Sequence, residues 1–410
     1  MKILTVVYNL DKGGTQRAAQ VFAEAYKELR HDSRVLSLYG VGVRYDEIKD
    51  KIKVWNGASH NNLTEIKNWE PNVIHIHSHG PKEQDINALL SSVENVKIIE
   101  TNVFSTPSIW ADKVDVSLQL SHWANWLFKL RGGGKFKSAI VPYAVKCHSF
   151  QKARADRVEV FRKEQKIPKD AFVIGRVGQS FAGKWSPMLL SVFNDLASKE
   201  ERLYLLLINA PNNILSLMDE SPYKNRIRYV SKVIGDENLS TVYSSMNVML
   251  LIAEQGESFG MVLAESILCE TPVVTLSTPW ADNSQGEVVK HLAGGYVANT
   301  ERGIKESILM LMNGKSRLNM KDVGTRHIRT NYDYLHVANQ ALRSLNKEYV
   351  DDDYIDRLSL LKNAIDKPNI ITLLFLQAGS DILRRLTIFS SNYNPWYDLV
   401  VIVFKKIVKR

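Results

Sequence analysis

The stretch "VMLLIAEQGESFGMVLAESILCETPVVTLS", residues 248–277, places a segment of helical pattern between two apolar runs. The runs at 248–253 and 271–277 have the length of buried strands, and "FGMVLAESIL" between them predicts a helix. A strand, a helix and a second strand in this order form the unit from which parallel sheets are built. The stretch therefore predicts an α/β fold around a parallel sheet.

The same alternation continues along most of the chain and begins again after Pro168. The first series of strand candidates lies at 3–8, 34–39, 73–78 and 96–101. The second series lies at 171–178, 203–209, 227–233, 248–253 and 271–277. Two series predict two doubly wound, Rossmann-like domains, whose ligands bind at the carboxyl ends of the strands. The domain boundaries expected from this pattern are 1–165, 166–349 with a long helix over 326–349, and a C-terminal extension over 350–410.

Composition narrows the class of protein. The chain has 410 residues, a formal net charge of +9 and two cysteines, Cys147 and Cys269, which form no CxxC motif. This excludes a disulfide framework or cysteine-ligated zinc and favours a reducing, cytoplasmic compartment. No apolar run approaches the roughly 20 residues that a membrane-spanning helix needs. The positive charge favours anionic partners such as phosphorylated small molecules, acidic lipids or nucleic acid.

Two glutamates, Glu257 and Glu265, flank the start of the helix predicted between the last two strands. The backbone N–H groups of Phe259, Gly260 and Met261 would lie at the helix N-terminus, which is an anion site. Glu257 could accept hydrogen bonds from sugar hydroxyls, and Glu265 could bind a ribose diol. Spacing alone leaves a second interpretation open, in which Glu257 caps the helix and Glu265 is solvated.

This carboxylate pair, with an apolar strand before it and a Pro-Val-Val strand after it, resembles the signature of retaining glycosyltransferases of the GT4 type. The resemblance covers residues 1–349 and implies the GT-B fold, two facing Rossmann-like domains. It implies that Glu257 contacts the donor sugar and Glu265 the ribose, and that the backbone of 259–261 meets the sugar or the diphosphate.

Two further motifs carry the resemblance. In "GRVGQSFAGKW" (175–185), Arg176 and Lys184 match the family's diphosphate-binding cations, which stabilise the leaving group without a metal or cofactor. The alternative for Arg176 is a surface salt bridge. In "DKGGTQRAAQ" (11–20), Gly13 and Gly14 match the loop that approaches the donor. Thr15 and Arg17 are weaker, acceptor-side candidates.

The chain also departs from the family pattern. Val103 stands where many relatives carry a histidine after the fourth strand, so Asn102 or Thr101 is the polar candidate there. Tyr143 and Ala144 replace an Asn-Gly pair. In "HIHSHG" (75–80), alternate histidines face one way on a strand. A core or cleft-edge position, with His77 on the acceptor side, is favoured over zinc ligation.

Aromatic and basic side chains mix in the segment 125–137 and in the tail "PWYDLVVIVFKKIVKR" (395–410), a combination suited to an anionic membrane surface. The alternative is that the tail packs on the first domain. Asp351, Asp352 and Asp353 are interpreted as an acidic helix N-terminus rather than a metal motif. No nucleic-acid-binding motif is present, so nucleic acid is not an expected partner.

These observations predict a retaining, metal-independent glycosyltransferase, cytoplasmic or peripheral on the cytoplasmic face of a membrane. Its donor is a nucleoside-diphosphate sugar, and its acceptor is a glycan or a lipid-linked molecule. Two alternatives stay open. One is another GT-B activity, such as a sugar-nucleotide epimerase or a phosphorylase. The other is a non-catalytic protein that binds sugar nucleotide or holds a second transferase.

Overall fold

The computed structural model describes residues 1–77, 84–253, 255–279, 281–346 and 363–366. These residues form two compact units. The first unit contains Met1–Lys146 and the chain from 331 to 346, and the second contains Cys147–Thr330 and residues 363–366. The observed division at 146/147 lies upstream of the boundary expected at 165/166.

The first unit is built on a seven-stranded parallel sheet. Its strands are β1 (Lys2–Val7), β2 (Asp32–Ser37), β3 (Val54–Asn56), β4 (Val73–His77), β5 (Lys97–Asn102), β6 (Val116–Gln119) and β7 (Ser138–Ile140). Their order in the sheet is β3-β2-β1-β4-β5-β6-β7. The connecting helices are α1 (Gly14–Glu28), α2 (Val43–Ile48), α3 (His60–Trp69), α4 (Gln84–Ser92) and α5 (His122–Leu130). The order reverses between β1 and β4, so their carboxyl ends border the crevice where such sheets bind ligands.

The second unit repeats this plan with six parallel strands. They are β8 (Phe172–Val177), β9 (Leu203–Ile208), β10 (Ile227–Val230), β11 (Val248–Leu251), β12 (Val273–Leu276) and β13 (Gly295–Ala298), in the order β10-β9-β8-β11-β12-β13. The helices are α6 (Ala155–Glu164), α7 (Met188–Ala197), α8 (Asn212–Asp219), α9 (Asp236–Ser244), α10 (Met261–Leu268), α11 (Gln285–Val289) and α12 (Glu301–Met312). Here the order reverses between β8 and β11.

The helix predicted over 326–349 is wrong as one continuous element. The structure has α13 (Thr325–Tyr332) and α14 (Tyr334–Arg343), separated at Asp333. Asp333 is extended, with φ −58° and ψ 133°, and its carboxylate accepts from the N–H of Leu335 at 3.2 Å as a helix cap. The backbone on either side pairs with Val145. Asp333 therefore forms a parallel β-bridge with Val145, and this bridge separates α13 from α14.

Burial explains why α14 belongs to the first unit. Val337, Ala338 and Ala341 of α14 are fully buried in the cluster that also holds Phe22 and Tyr26 of α1. Closing this apolar surface stabilises the unit by about 25 cal/mol per Å² removed from water. The last helix is thus part of the core of the first sheet.

Only part of the predicted C-terminal extension can be compared with the structure, because 347–362 and 367–410 lie outside the described residues. Residues 363–366 are held within the second unit, because Asp366 accepts from the N–H of Asn299 at 2.6 Å and from the hydroxyl of Thr300 at 2.5 Å. In the basic segment 125–137, Phe128 is buried rather than presented at the surface. Among the described residues, no helix combines the length and apolar character that crossing a membrane requires.

Candidate functional site

The carboxyl ends of β8 and β11, neighbours in the second sheet, bring a lysine and a glutamate together. Lys184 Nζ lies 2.9 Å from Glu257 Oε2, and it also donates to the carbonyl of Gly256 at 3.4 Å. The two side chains keep 28% and 12% of their surface exposed. The pair is therefore sheltered from bulk water while a ligand can still reach it.

The backbone turn before α10 depends on Gly256. This residue has φ +66°, and a Cβ there would lie 1.7 Å from the carbonyl oxygen of Asp282. Gly260, with φ +84°, is the N-cap of α10, and no side chain caps this end. The partial positive charge and the orphan N–H groups of a helix start attract anions. Phe259 is itself 1% exposed, so it would meet a ligand through its backbone.

Arg176, at the end of β8, is buried with 1% of its surface exposed, so the surface salt-bridge interpretation is wrong. Its guanidinium donates to the carbonyls of Val177 and Lys184, the latter at 2.7 Å, and lies 4.8 Å from the ring centre of Trp185. Burial lowers its pKa to about 10, and the negative charge of Glu257 opposes that shift. Arg176 therefore stays charged at neutral pH and holds the loop that carries Lys184.

Glu265, on the first turns of α10, is 2% exposed, so the solvated interpretation of this residue is wrong. Tyr243, at the C-terminal part of α9, donates its hydroxyl to Glu265 Oε2 at 2.7 Å. Gln285 orients the turn from the other side, accepting from the N–H of Glu257 at 3.1 Å. Tyr243 and Gln285 lie outside the sequence motifs, and no spacing signal pointed to them.

In the first unit, the glycine loop opens α1, with Gly13 as its N-cap and Gly14 as its first residue. Thr15 is buried, and its hydroxyl lies 3.2 Å from that of Tyr143, one of the two residues that replace the family's Asn-Gly. Arg17 is half-buried on the same helix. Thr15 thus ties the start of α1 to the chain after β7.

The alternating histidines on β4 are buried side by side, as the strand period predicts. His75 bonds to Tyr26 at 2.8 Å and to Thr101 at 2.7 Å, whereas neither ring nitrogen of His77 has a hydrogen-bond partner among the described residues. Burial lowers the pKa of His77 to about 3, so this ring is neutral. The described part of the chain contains no cluster of side chains suited to hold a metal ion, and His79 lies outside it.

Asn102, the last residue of β5, uses its side chain to close a turn. Its amide nitrogen donates to the carbonyl of Thr106 at 2.8 Å, and its amide oxygen accepts from the N–H of the same residue at 3.4 Å. Val103, at the position of the family histidine, follows directly and is half-buried. In this structure the polar atoms of Asn102 thus shape the loop at the carboxyl edge of the sheet.

Glu100 precedes this loop and was not found from the sequence. It is 1% exposed, and Ser117 donates to its carboxylate at 3.4 Å. Burial raises the pKa of the Glu100 carboxyl to about 7, and the hydrogen bond from Ser117 offsets part of that shift. Because this buried carboxyl changes its protonation near neutral pH, the stability of the first unit should depend on pH.

We expect Glu100→Gln to remove a pH dependence of stability. The pKa of Glu100 is raised in the folded state above its ordinary value of 4.5, which applies to the unfolded chain. The stabilisation by protonated Glu100 is therefore complete below pH 4.5 and is lost as the pH rises through about 7. The thermal unfolding midpoint of the wild type should therefore fall relative to that of Glu100→Gln between those values. A constant difference between the two proteins across this range would contradict the assignment.

Part of the second unit is similar in sequence to known proteins. Residues 157–327 match the model of the family "Glycosyl transferases group 1". The segment includes Arg176, Lys184, Glu257 and Glu265. Over 172 residues the chain is 30% identical to the capsular polysaccharide biosynthesis glycosyltransferase CapM of Staphylococcus aureus, a match that spans 41% of this chain and 43% of that relative.

Solved structures match more of the chain at lower identity. The crystal structure of Anabaena Alr3699/HepE in complex with UDP and glucose has a TM-score of 0.70 at 14% identity, covering 84% of this chain and 99% of that one. A glycosyltransferase from Rickettsia africae gives 0.69 at 16% identity, covering 85% and 99%. TarM of S. aureus gives 0.64 at 10% identity, covering 84% and 100%. These likenesses show that the chain has the GT-B fold, with two Rossmann-like units.

Proposed function

We propose that this chain is a glycosyltransferase that moves a sugar from a nucleoside-diphosphate sugar to a glycan or lipid-linked acceptor. The observation that carries the proposal is the Lys184–Glu257 pair at the uncapped start of α10, with Glu265 buried behind it. A cation, a helix start with no side-chain cap and two carboxylates suit a diphosphate joined to two sugars. The match to the group 1 glycosyl transferases covers the same residues.

The second unit supplies the donor contacts in this proposal. Lys184 and the N–H groups at 259–261 bind the diphosphate, and Arg176 keeps its loop in place while adding positive charge. Glu257 accepts hydrogen bonds from the transferred sugar, and Glu265 from the ribose. Fixed charges of this kind stabilise a leaving group best where water is excluded.

The transfer proceeds with retention of the anomeric configuration and without a metal. The bond between the anomeric carbon and the β-phosphate oxygen breaks, and the acceptor oxygen bonds to the same face of that carbon. The departing phosphate oxygen takes the acceptor's proton, so the nucleoside diphosphate leaves as the other product. Positive charge from Lys184 and Arg176 replaces that of a divalent ion, which supports metal independence.

The first unit binds the acceptor, with Thr15 and Arg17 on the helix that follows β1 and His77 at the carboxyl end of β4. Gly13 and Gly14 are assigned to the donor. The second unit is the donor domain in this assignment and the first unit is the acceptor domain, with the bounds that the structure gives them in place of 166–349 and 1–165. A lipid-linked acceptor would place the protein on the cytoplasmic face of a membrane. The tail predicted to contribute to that contact lies outside the described residues.

Release of free nucleoside diphosphate tests the function. We expect the protein, given UDP- or GDP-sugars and glycan acceptors, to release diphosphate at a rate that EDTA leaves unchanged. Mass spectrometry and NMR of the product should show one added sugar in the donor's anomeric configuration. Loss of activity with EDTA and recovery with Mg²⁺ would overturn metal independence. Tight donor binding with no turnover would instead support the non-catalytic alternative.

A further inference from the structure

Two exposed tyrosines stand side by side at the carboxyl edge of the first sheet. Tyr8 directly follows β1, and Tyr39 lies just beyond β2. Their ring centres are 4.6 Å apart with the planes tilted by 45°, and the residues are 38% and 43% exposed. The N–H of Tyr39 donates to the carbonyl of Tyr8 at 2.7 Å, which extends the strand pairing beyond the ladder. The pair is therefore set on the sheet itself rather than on a long loop.

The loops that follow the two strands are locked together. The N–H of Arg44 donates to the carbonyl of Leu10 at 3.0 Å. A Cβ at Gly42 would lie 2.7 Å from the Cα of Asp11, so the close approach of the two backbones requires glycine there. Aromatic rings held in this way lose little conformational entropy on binding, which favours affinity.

The pair adjoins the glycine loop. Asn9, next to Tyr8, accepts from the side chain of Gln16 at 3.2 Å, and Gln16 lies in the first turn of α1. Asp11 and Lys12 are exposed between the pair and Gly13. Hydrogen-bonding groups thus border the two rings on the side of the loop that opens α1, the helix that carries the acceptor-side candidates Thr15 and Arg17.

We propose that Tyr8 and Tyr39 form a stacking platform for a pyranose ring of the acceptor. The negative face of an aromatic ring attracts the weakly positive C–H groups of a sugar face, and the bordering polar side chains can bind its hydroxyls. A lipid chain would require a continuous apolar surface, whereas here charged and amide groups interrupt it. The inference rests on the proposed function. It specifies the acceptor as a carbohydrate that binds at the carboxyl ends of β1 and β2.

Saturation-transfer NMR on the full chain tests the platform with a defined probe set of methyl α- and β-glycosides of glucose, galactose, rhamnose and N-acetylglucosamine. We expect at least one glycoside to receive saturation on its ring protons. The Tyr8→Ala/Tyr39→Ala protein should bind it at least about fivefold more weakly, as expected for lost aromatic contacts. Tyr39→Phe, which keeps the ring, should bind as the wild type does.

The matched control is Tyr229→Ala, which removes a tyrosine of similar exposure, 37%, from the second unit and should change nothing. UDP and GDP binding, measured by calorimetry on every variant, should be unaltered. No saturation of any glycoside, or saturation that survives the double substitution, overturns the platform. If the double substitution reduced binding to lipid vesicles but not to glycosides, the two tyrosines would bind lipid, and the sugar platform would be overturned. Failure of the wild type to bind either nucleotide contradicts the proposed function instead.

Discussion

Lys184→Ala is expected to lower kcat by about 10²–10³-fold, the loss typical of removing one fixed charge from a stabilised leaving group. The side chain is 28% exposed, so its removal leaves no large cavity. Its partner Glu257 loses a cation 2.9 Å away, so binding of the donor sugar should weaken as well. Steady-state kinetics of diphosphate release, with separate measurement of kcat and KM, provides the test.

Three further variants distinguish the loss of the Lys184 charge from an effect on the fold. Lys184→Arg keeps the positive charge and should retain more activity than the alanine variant. Lys305→Ala breaks a lysine–carboxylate pair in the same unit, where Nζ lies 3.0 Å from Asp195, and should leave kcat unchanged. Arg176→Ala should lose both activity and thermal stability, because Arg176 bonds the loop carbonyls. Equal kcat for the wild type and Lys184→Ala would exclude Lys184 from the leaving-group site.

The sequence was sufficient to predict the fold class because long apolar runs alternated with helical patterns. Strands β1, β4, β9 and β11 lie within a residue or two of their expected positions. Short strands such as β3 and β7, three residues each, are too brief to show a period. The break at Asp333 was missed because an aspartate in a helical pattern does not reveal that Val145 will pair with its flanking backbone.

The donor-side candidates could be identified from sequence motifs, but their burial and their hydrogen-bond partners could not be predicted. Sequence spacing placed Glu257 and Lys184 near strand ends, and the structure brings them into contact. Spacing could not show that Arg176 is buried or that the amide of Asn102 closes a turn, since both facts depend on packing. Tyr243 comes from another helix and joins the site only through tertiary structure.

Glu265→Gln is expected to weaken nucleotide binding about 10- to 150-fold, the equivalent of a charge-assisted hydrogen bond worth about 1.5–3 kcal/mol. The glutamine keeps an oxygen that can accept from the hydroxyl of Tyr243, so the fold should be preserved. Tyr243→Phe removes that donor but leaves the carboxylate, and its effect on binding should be smaller. Calorimetry with UDP and GDP measures the change.

A change of ligand shows whether the lost bond is to the ribose. If Glu265 accepts from the ribose diol, the wild type should bind a 2′,3′-dideoxynucleoside diphosphate more weakly than the ribonucleotide. Glu265→Gln should then add little further loss, since the hydroxyls it would have bound are already absent. The two changes would be coupled, as groups in contact are. Equal penalties for Glu265→Gln with both nucleotides would mean that Glu265 acts on the fold or on the diphosphate instead, and the ribose assignment would be wrong.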